Sequence, residues 1–368
     1  VPRTPLALPG FPWDALAPYG DTARAHPDGI VDLSVGSPVD PTPAVVREAL
    51  AAATDAHAYP QVAGTPLLRE AIVDWYARRR GVDDISVANV LPTIGSKELI
   101  ALLPLLFGLG KGDAVVYPSV AYPTYAIGAA LVGATAVASD DPAEWPENTR
   151  LIWLNSPGNP DGSVLSTGRL KAAVTRAREL GAIVVNDECY AEFSWTTDAP
   201  TPSILDYEVI AGERNSVLSV YSLSKQSNLA GYRAGFVAGC SDLIGELLAV
   251  RKHAGLIPPA PVQAAMVAAL SDDAHVATQR ELYRSRRARL VPALEAAGFR
   301  IDNSEAGLYI WATKGADAWA TVAELAAEGI LVVPGSFYGT SSAQHVRIAL
   351  TATDIDIDAA VSRLARLR

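Results

Sequence analysis

Between residues 114 and 221 the chain alternates short, wholly apolar runs with helical stretches, and this alternation constrains the fold more than any other feature. The runs Ala114–Tyr117, Thr135–Ala138, Leu151–Asn155, Ile183–Asp187 and Val217–Tyr221 read as strands, with a further apolar run at Gly235–Ala238. Tyr122–Val132 and Leu170–Leu180, the latter stopped at Gly181, read as helices between them. Strands without polar alternation are buried on both faces, as in a largely parallel sheet between two helical layers. Such sheets bind ligands beyond the carboxyl ends of their strands. Tyr122, Asn155 to Asn159, Asp187 to Tyr190 and Lys225 fall at those ends. Helical patterns follow at Ser241–Arg251, Pro259–Leu270 and, at length, Ala274–Ala297. The last leads into a smaller unit with strands Leu308–Trp311, Ile330–Val333 and Val346–Ala349 and helices Ala318–Glu328 and Ile355–Leu367.

Upstream, residues 1 to 30 are rich in Pro, Gly and Ala, with Phe11 and Trp13 among them, and suit an arm packed on a neighbour. Ile30–Val35 reads as a short strand emptying into Gly36-Ser-Pro38. Thr42 is placed to cap a helix that has Pro43 at its first position. Tyr59-Pro60 and Gly64 form a turn before a helix over Pro66–Arg80. Gly95-Ser96-Lys97 opens an apolar helix to Phe107, and free N–H groups at a helix start suit an anion. Gly108-Leu-Gly110-Lys-Gly112 follows that helix instead of opening one, so it is neither a dinucleotide fingerprint nor a Walker loop.

The net charge of −10 and the absence of a basic tract argue against nucleic acid or an anionic membrane as partner. The two cysteines, Cys189 and Cys240, are far apart and no Cys/His cluster is present, so neither a disulfide framework nor a metal site is expected. There is no GxSxG or HExxH, and the five histidines are scattered, which leaves a serine or metal hydrolase without support. No apolar leader opens the chain, and the longest apolar run, Leu99–Leu109, is broken by Pro104 and Gly108. A cytoplasmic protein is the expectation.

The richest stretch is Tyr221 to Gly235, in which Ser222-x-Ser224-Lys225 is followed by Gly231-x-Arg233-x-Gly235. Its hydroxyls and guanidinium suit a phosphate dianion, and a lysine at the mouth of a strand suits a carbonyl held as a Schiff base. This pattern resembles the lysine motif of the class I/II, fold-type I pyridoxal-phosphate aminotransferases. Similar matches run from Tyr59-Pro60 through Gly64 to Arg69, over Asn155-Ser-Pro-Gly-Asn159-Pro-Asp-Gly162 and Asn186-Asp-Glu-Cys-Tyr190, and in Val333-Pro-Gly-Ser-Phe337 with His345-Val-Arg347. The family's usual Asn-Pro-Thr-Gly turn is here Asn159-Pro-Asp-Gly, which puts only local loop contacts in question.

The resemblance implies an α/β fold with a mostly parallel seven-stranded sheet between helices in a large domain, 36–265. A smaller α+β domain spans 266–368, and residues 1–35 form an arm and part of the small domain. It implies pyridoxal 5′-phosphate as cofactor, with Lys225 as the catalytic Schiff-base lysine. Gly95, Ser96, Lys97, Ser222, Ser224 and Arg233 would cradle the phosphate. Asp187 would pair with the ring nitrogen, and a buried carboxylate keeps such a nitrogen charged. Asn159 and Tyr190 would donate to the phenolic oxygen, Tyr122 would stack on the ring, and Cys189 would lie on its other face. Arg347, with Gly36 and Asn159, would hold the substrate α-carboxylate. Tyr59 would cross a homodimer interface to the cofactor of the second subunit, and amino acids and keto acids would be the small-molecule partners.

Phe11-Pro-Trp-Asp14, Pro27 to Asp40 and Arg251 to Gln263 further resemble the actinobacterial N-succinyldiaminopimelate aminotransferases. That family exchanges an amino group between L-glutamate and N-succinyl-2-amino-6-ketopimelate in lysine biosynthesis. Arg251, Lys252 and His253 are cations in reach of a carboxylate-rich substrate arm on this view, although a basic triplet ending a helix is also a favoured terminus. A broader aspartate, alanine or aromatic aminotransferase shares every motif above, and a carbon–sulfur β-lyase shares most. A non-catalytic regulator of this type carries a DNA-binding module ahead of the catalytic part, and the residues before Gly36 are not basic.

Overall fold

The computed structural model describes residues 8, 10, 12–197 and 200–367. Phe11, quoted in one motif, lies outside them. Among the described residues the strands are β1 Val31–Asp32, β2 Val90–Ile94, β3 Ala114–Tyr117, β4 Thr135–Ala138, β5 Thr149–Asn155, β6 Ile183–Asp187, β7 Val217–Ser222, β8 Ala234–Gly239, β9 Arg300–Ile301, β10 Tyr309–Thr313, β11 Ile330–Leu331, β12 Val333–Pro334 and β13 His345–Ala349. A seven-stranded sheet runs in the order β2-β8-β7-β6-β5-β3-β4. β8 is antiparallel to both its neighbours, and the other pairs are parallel.

Successive residues of the central strands enter opposite cores, which is why these strands read as unbroken apolar runs. Val184 and Phe236 face one core with Trp75 and Tyr221, while Val185 and Val237 face the other with Leu99, Leu103, Tyr125 and Trp153. A third core gathers Leu290, Leu294, Ile310, Trp311, Val322 and Ile348 around a four-stranded antiparallel sheet, β12-β13-β10-β9. The fold is therefore a large, mostly parallel α/β unit with a smaller α+β unit. The helix Asp273–Ala296 leads from one to the other. Among the described residues no helix is long and apolar enough to cross a membrane.

Several local expectations are corrected. The first strand is only Val31–Asp32, pairing in parallel with Ile330–Leu331. Beyond it, Ser34 turns back to hydrogen-bond Asp32, and Val35 lies on a loop. The single run Ile330–Val333 divides between two sheets: Ile330 and Leu331 pair with β1, and Val333 with β13. Thr42 does not cap a helix. Its hydroxyl donates to the Asn228 carbonyl, and the helix Ala44–Ala52 starts after Pro43 with no side-chain cap. Of the described residues of the arm, Trp13 packs against Phe337 and Tyr19 against Trp319.

Candidate active site

The sheet brings the sequence motifs to one edge. Gly95 follows β2, Asn155 ends β5, Asp187 ends β6, and Ser222 ends β7 just ahead of Lys225. Gly95 has φ 69°, which a side chain would strain, and a Cβ there would lie 2.4 Å from Arg233 Nη2. The Arg233 guanidinium therefore rests directly on the first residue of the helix Gly95–Leu106, where free amides also point. Its Nη1 donates to the Ala230 carbonyl at 2.9 Å. Ser222 and Ser224 complete the corner, with their hydroxyls 2.9 Å apart. A cation, a helix start and two hydroxyls in one place make a cradle for a phosphate group.

Asp187 is buried, and burial pushes its carboxyl pKa up, while the Cys189 and Tyr125 hydrogen bonds pull against that rise. Its Oδ2 accepts from the Tyr125 hydroxyl at 3.0 Å and its Oδ1 from the Cys189 amide at 3.1 Å. A carboxylate so placed is improved by a neighbouring ring cation. Lys225 is half-buried, and desolvation of its amine holds it below the usual lysine value. Its Nζ donates to the Gly36 carbonyl. Tyr122 is half-buried, and Lys97 lies over its ring at 5.9 Å from the centroid.

Arg347, on β13, is 3% exposed and crosses from the smaller sheet into this cluster. Its Nη1 donates to Asn159 Oδ1 at 3.0 Å and its Nη2 to the Ser34 carbonyl at 2.7 Å. The guanidinium carbon stands 4.0 Å from the Tyr309 ring centroid and 5.1 Å from that of Tyr338. Two aromatic rings thus hold a desolvated guanidinium whose Nε has no acceptor. Tyr190 reaches the same place, its hydroxyl 3.2 Å from that of Tyr309.

Asp161, the departure in the Asn159 turn, has a local role. Its carboxylate accepts from the Ser163 amide and hydroxyl and from Asn303 Nδ2 at 3.0 Å. It ties the Asn159 loop to the loop after β9. Arg251 is not a substrate cation in this arrangement: it is fully buried and forks onto both oxygens of Glu98 at 2.9 and 3.3 Å. Lys252 and His253 are exposed at the helix end. Tyr59 is 99% exposed on the single chain.

Tyr125, Tyr309 and Tyr338 of the cluster were not anticipated from the sequence. Tyr125 sits in an otherwise aliphatic helix and Tyr309 in an apolar strand. In each case the available signal was the hydroxyl, because a buried phenol needs a polar partner. Among the described residues no group of acidic, Cys or His side chains is arranged to hold a metal ion.

A phosphate cradle, a buried carboxylate and a half-buried lysine with a desolvated amine on the rim of this sheet define a fold-type I pyridoxal-phosphate enzyme, and the residues present fit that cofactor. The profile of the family "Aminotransferase class I and II" matches residues 28–364, and the chain belongs to that family. It is 55% identical to the 4-dedimethylamino-4-oxo-anhydrotetracycline transaminase OxyQ of Streptomyces rimosus, over 97% of this chain and 99% of the relative. It is 56% identical to the probable aminotransferase Rv1178 of Mycobacterium tuberculosis, over 97% of this chain and 85% of the relative. The solved N-succinyldiaminopimelate aminotransferase of Mycobacterium tuberculosis superposes with a TM-score of 0.86 at 27% identity, over 96% of this chain and 97% of that one. The chain is accordingly a pyridoxal-phosphate-dependent aminotransferase, moving an amino group between an amino acid and a keto acid.

Proposed function

We propose that the amino donor is L-glutamate and the acceptor N-succinyl-2-amino-6-ketopimelate, the reaction running reversibly in diaminopimelate and lysine biosynthesis. The observation that carries the amino-acid half of this reading is Arg347. It is buried between two tyrosine rings, fixed by Asn159 and Ser34, and brought beside Lys225 from the other sheet. An α-carboxylate gripped there holds the substrate Cα toward the lysine, which is positioning of the kind that lowers a barrier most.

Pyridoxal phosphate, when bound, supplies the electron sink and carries the amino group between the two half-reactions. Lys225 would hold it, and its free amine would take the proton from the substrate Cα at Nζ. Burial favours the neutral amine needed for that task. Asp187 keeps the ring nitrogen protonated, with Tyr125 fixing the carboxylate. Gly95, Ser96, Lys97, Ser222, Ser224 and Arg233 would hold the phosphate, Tyr122 and Cys189 would flank the ring, and Asn159 and Tyr190 would donate to its phenolic oxygen.

The proposal also has a large domain at 36–265, a small domain at 266–368, and a homodimer in which exposed Tyr59 completes the second subunit's site. It sets the enzyme in the cytoplasm, in keeping with two buried free thiols. A second acceptor class, a polycyclic ketone, is favoured by the 55% identity to OxyQ over nearly the full length of both chains. The test is a pair of half-reactions followed by absorbance. Bleaching of the cofactor's visible band by both L-glutamate and N-succinyl-LL-2,6-diaminopimelate is expected. Bleaching by glutamate alone removes the proposed acceptor, and an unchanged spectrum with both removes the reading.

A further inference from the structure

We propose that Tyr309 is a positioning residue of this site: its hydroxyl donates to the Tyr190 oxygen and so aims the Tyr190 proton at the bound cofactor, while its ring supports Arg347. The inference rests on the function proposed above and adds a residue to it.

Hydroxyl arithmetic supports the direction. The two phenols are 3.2 Å apart, each is almost fully buried, and each has one hydrogen to give. If Tyr190 is to donate toward the cofactor, its oxygen is left to accept, and Tyr309 is the group in reach to donate. The cations of the site lie on the Tyr309 side of the pair. Burial alone would raise the Tyr309 phenol, but Arg347 and Lys225 beside it hold it below the ordinary tyrosine value. Burial leaves Tyr190 well above that value. The other groups facing the pair are Cys189 beside Tyr190 and Tyr338 beside Tyr309.

Packing fixes the donor in place. A Cβ on Gly36 would lie 1.9 Å from the Tyr309 hydroxyl and 2.7 Å from its ring carbon Cζ. Glycine at 36 is thus required by the close approach of Tyr309. The Gly36 carbonyl in turn accepts from Lys225 Nζ. One tyrosine therefore touches the loop that holds the lysine, the arginine that grips the substrate and the phenol that addresses the cofactor.

Tyr309→Phe tests this, because it keeps the ring under Arg347 and removes only the oxygen. The readout is the pH titration of the visible band of cofactor-loaded protein, with thermal melting as a check on folding. Donation to the phenolic oxygen favours its ionised form, so weaker donation by Tyr190 moves the titration upward. One hydrogen bond acting through another corresponds to about half to one pH unit. Tyr190→Phe should shift it further in the same direction. The double variant should titrate as Tyr190→Phe does, since Tyr309 acts through Tyr190. The kcat with glutamate should fall about twofold to tenfold in Tyr309→Phe with KM unchanged. A Tyr309→Phe titration coincident with wild type, or additive shifts in the double variant, overturns the inference while leaving the aminotransferase reading standing. Absence of a visible band from wild type after adding pyridoxal phosphate overturns both.

Discussion

Arg347→Lys separates the grip on the substrate from everything else the site does. The native side chain spends Nη1 on Asn159 and Nη2 on the Ser34 carbonyl, lies on the Tyr309 ring, and has Nε without an acceptor. Lysine keeps the charge but offers one nitrogen, and cannot serve both of these acceptors and a carboxylate fork in one plane. A charge-assisted hydrogen bond is worth about 1.5–3 kcal/mol, so kcat/KM for L-glutamate should fall about 10- to 150-fold. Leaving Asn159 Oδ1 or the Ser34 carbonyl unpaired should also cost about 1–3 kcal/mol of stability, read by urea denaturation. The decisive control is 4-aminobutanoate, which is glutamate without its α-carboxylate. Its slow half-reaction should be the same in both proteins within about a factor of two, the scale of contacts it never made. An equal loss for both amines would show that Arg347 supports the site in general and does not read the α-carboxylate.

Three further outcomes follow from the same geometry. Lys225→Ala should abolish steady-state transamination without unfolding the chain, and turnover in that variant would remove the assignment. The cofactor-free Lys225→Met protein should be more stable than wild type at neutral pH. Burial depresses the folded-state pKa of Lys225, so between that value and the ordinary lysine value the unfolded chain binds a proton that the folded chain does not. Wild-type stability therefore rises with pH across the window, and the advantage of Met should disappear above it in pH-dependent melts. Glu188 and Arg80 form a fully buried ion pair, with Glu188 also accepting from Asn186, Ser203 and the Ile204 amide. Glu188→Ala should cost about 3–5 kcal/mol, and Glu188→Ala with Arg80→Met distinctly less, because the second change removes the stranded charge; equal losses in urea would contradict this.

Six strands of the large sheet, the burial of the central ones on both faces and the edge at which ligands gather were legible in the sequence, because each depends on a local apolar pattern; β2, Val90–Ile94, was not read as a strand. So were Asp187 and Lys225, which follow strands read from the apolar pattern, whereas Gly95 and Arg233 were picked out by short motifs. Contacts between distant segments were not legible. Nothing in the run Leu308–Trp311 says that Tyr309 will lie on Gly36 and under Arg347. Nothing near Tyr125 says that its hydroxyl will meet Asp187. The basic triplet at 251–253 looked available, yet packing committed Arg251 to Glu98. Ile330–Val333 is one apolar run, and only the competing partners β1 and β13 divide it. Thr42 has the right side chain for a cap, but its hydroxyl found the Asn228 carbonyl instead. The sequence by itself determined the kind of sheet and the chemistry carried to its edge, since periodicity and short motifs act over a few residues. Tertiary structure alone decided which hydroxyl, guanidinium and carbonyl meet there, because burial forces each polar group to find a partner wherever the fold brings one within reach.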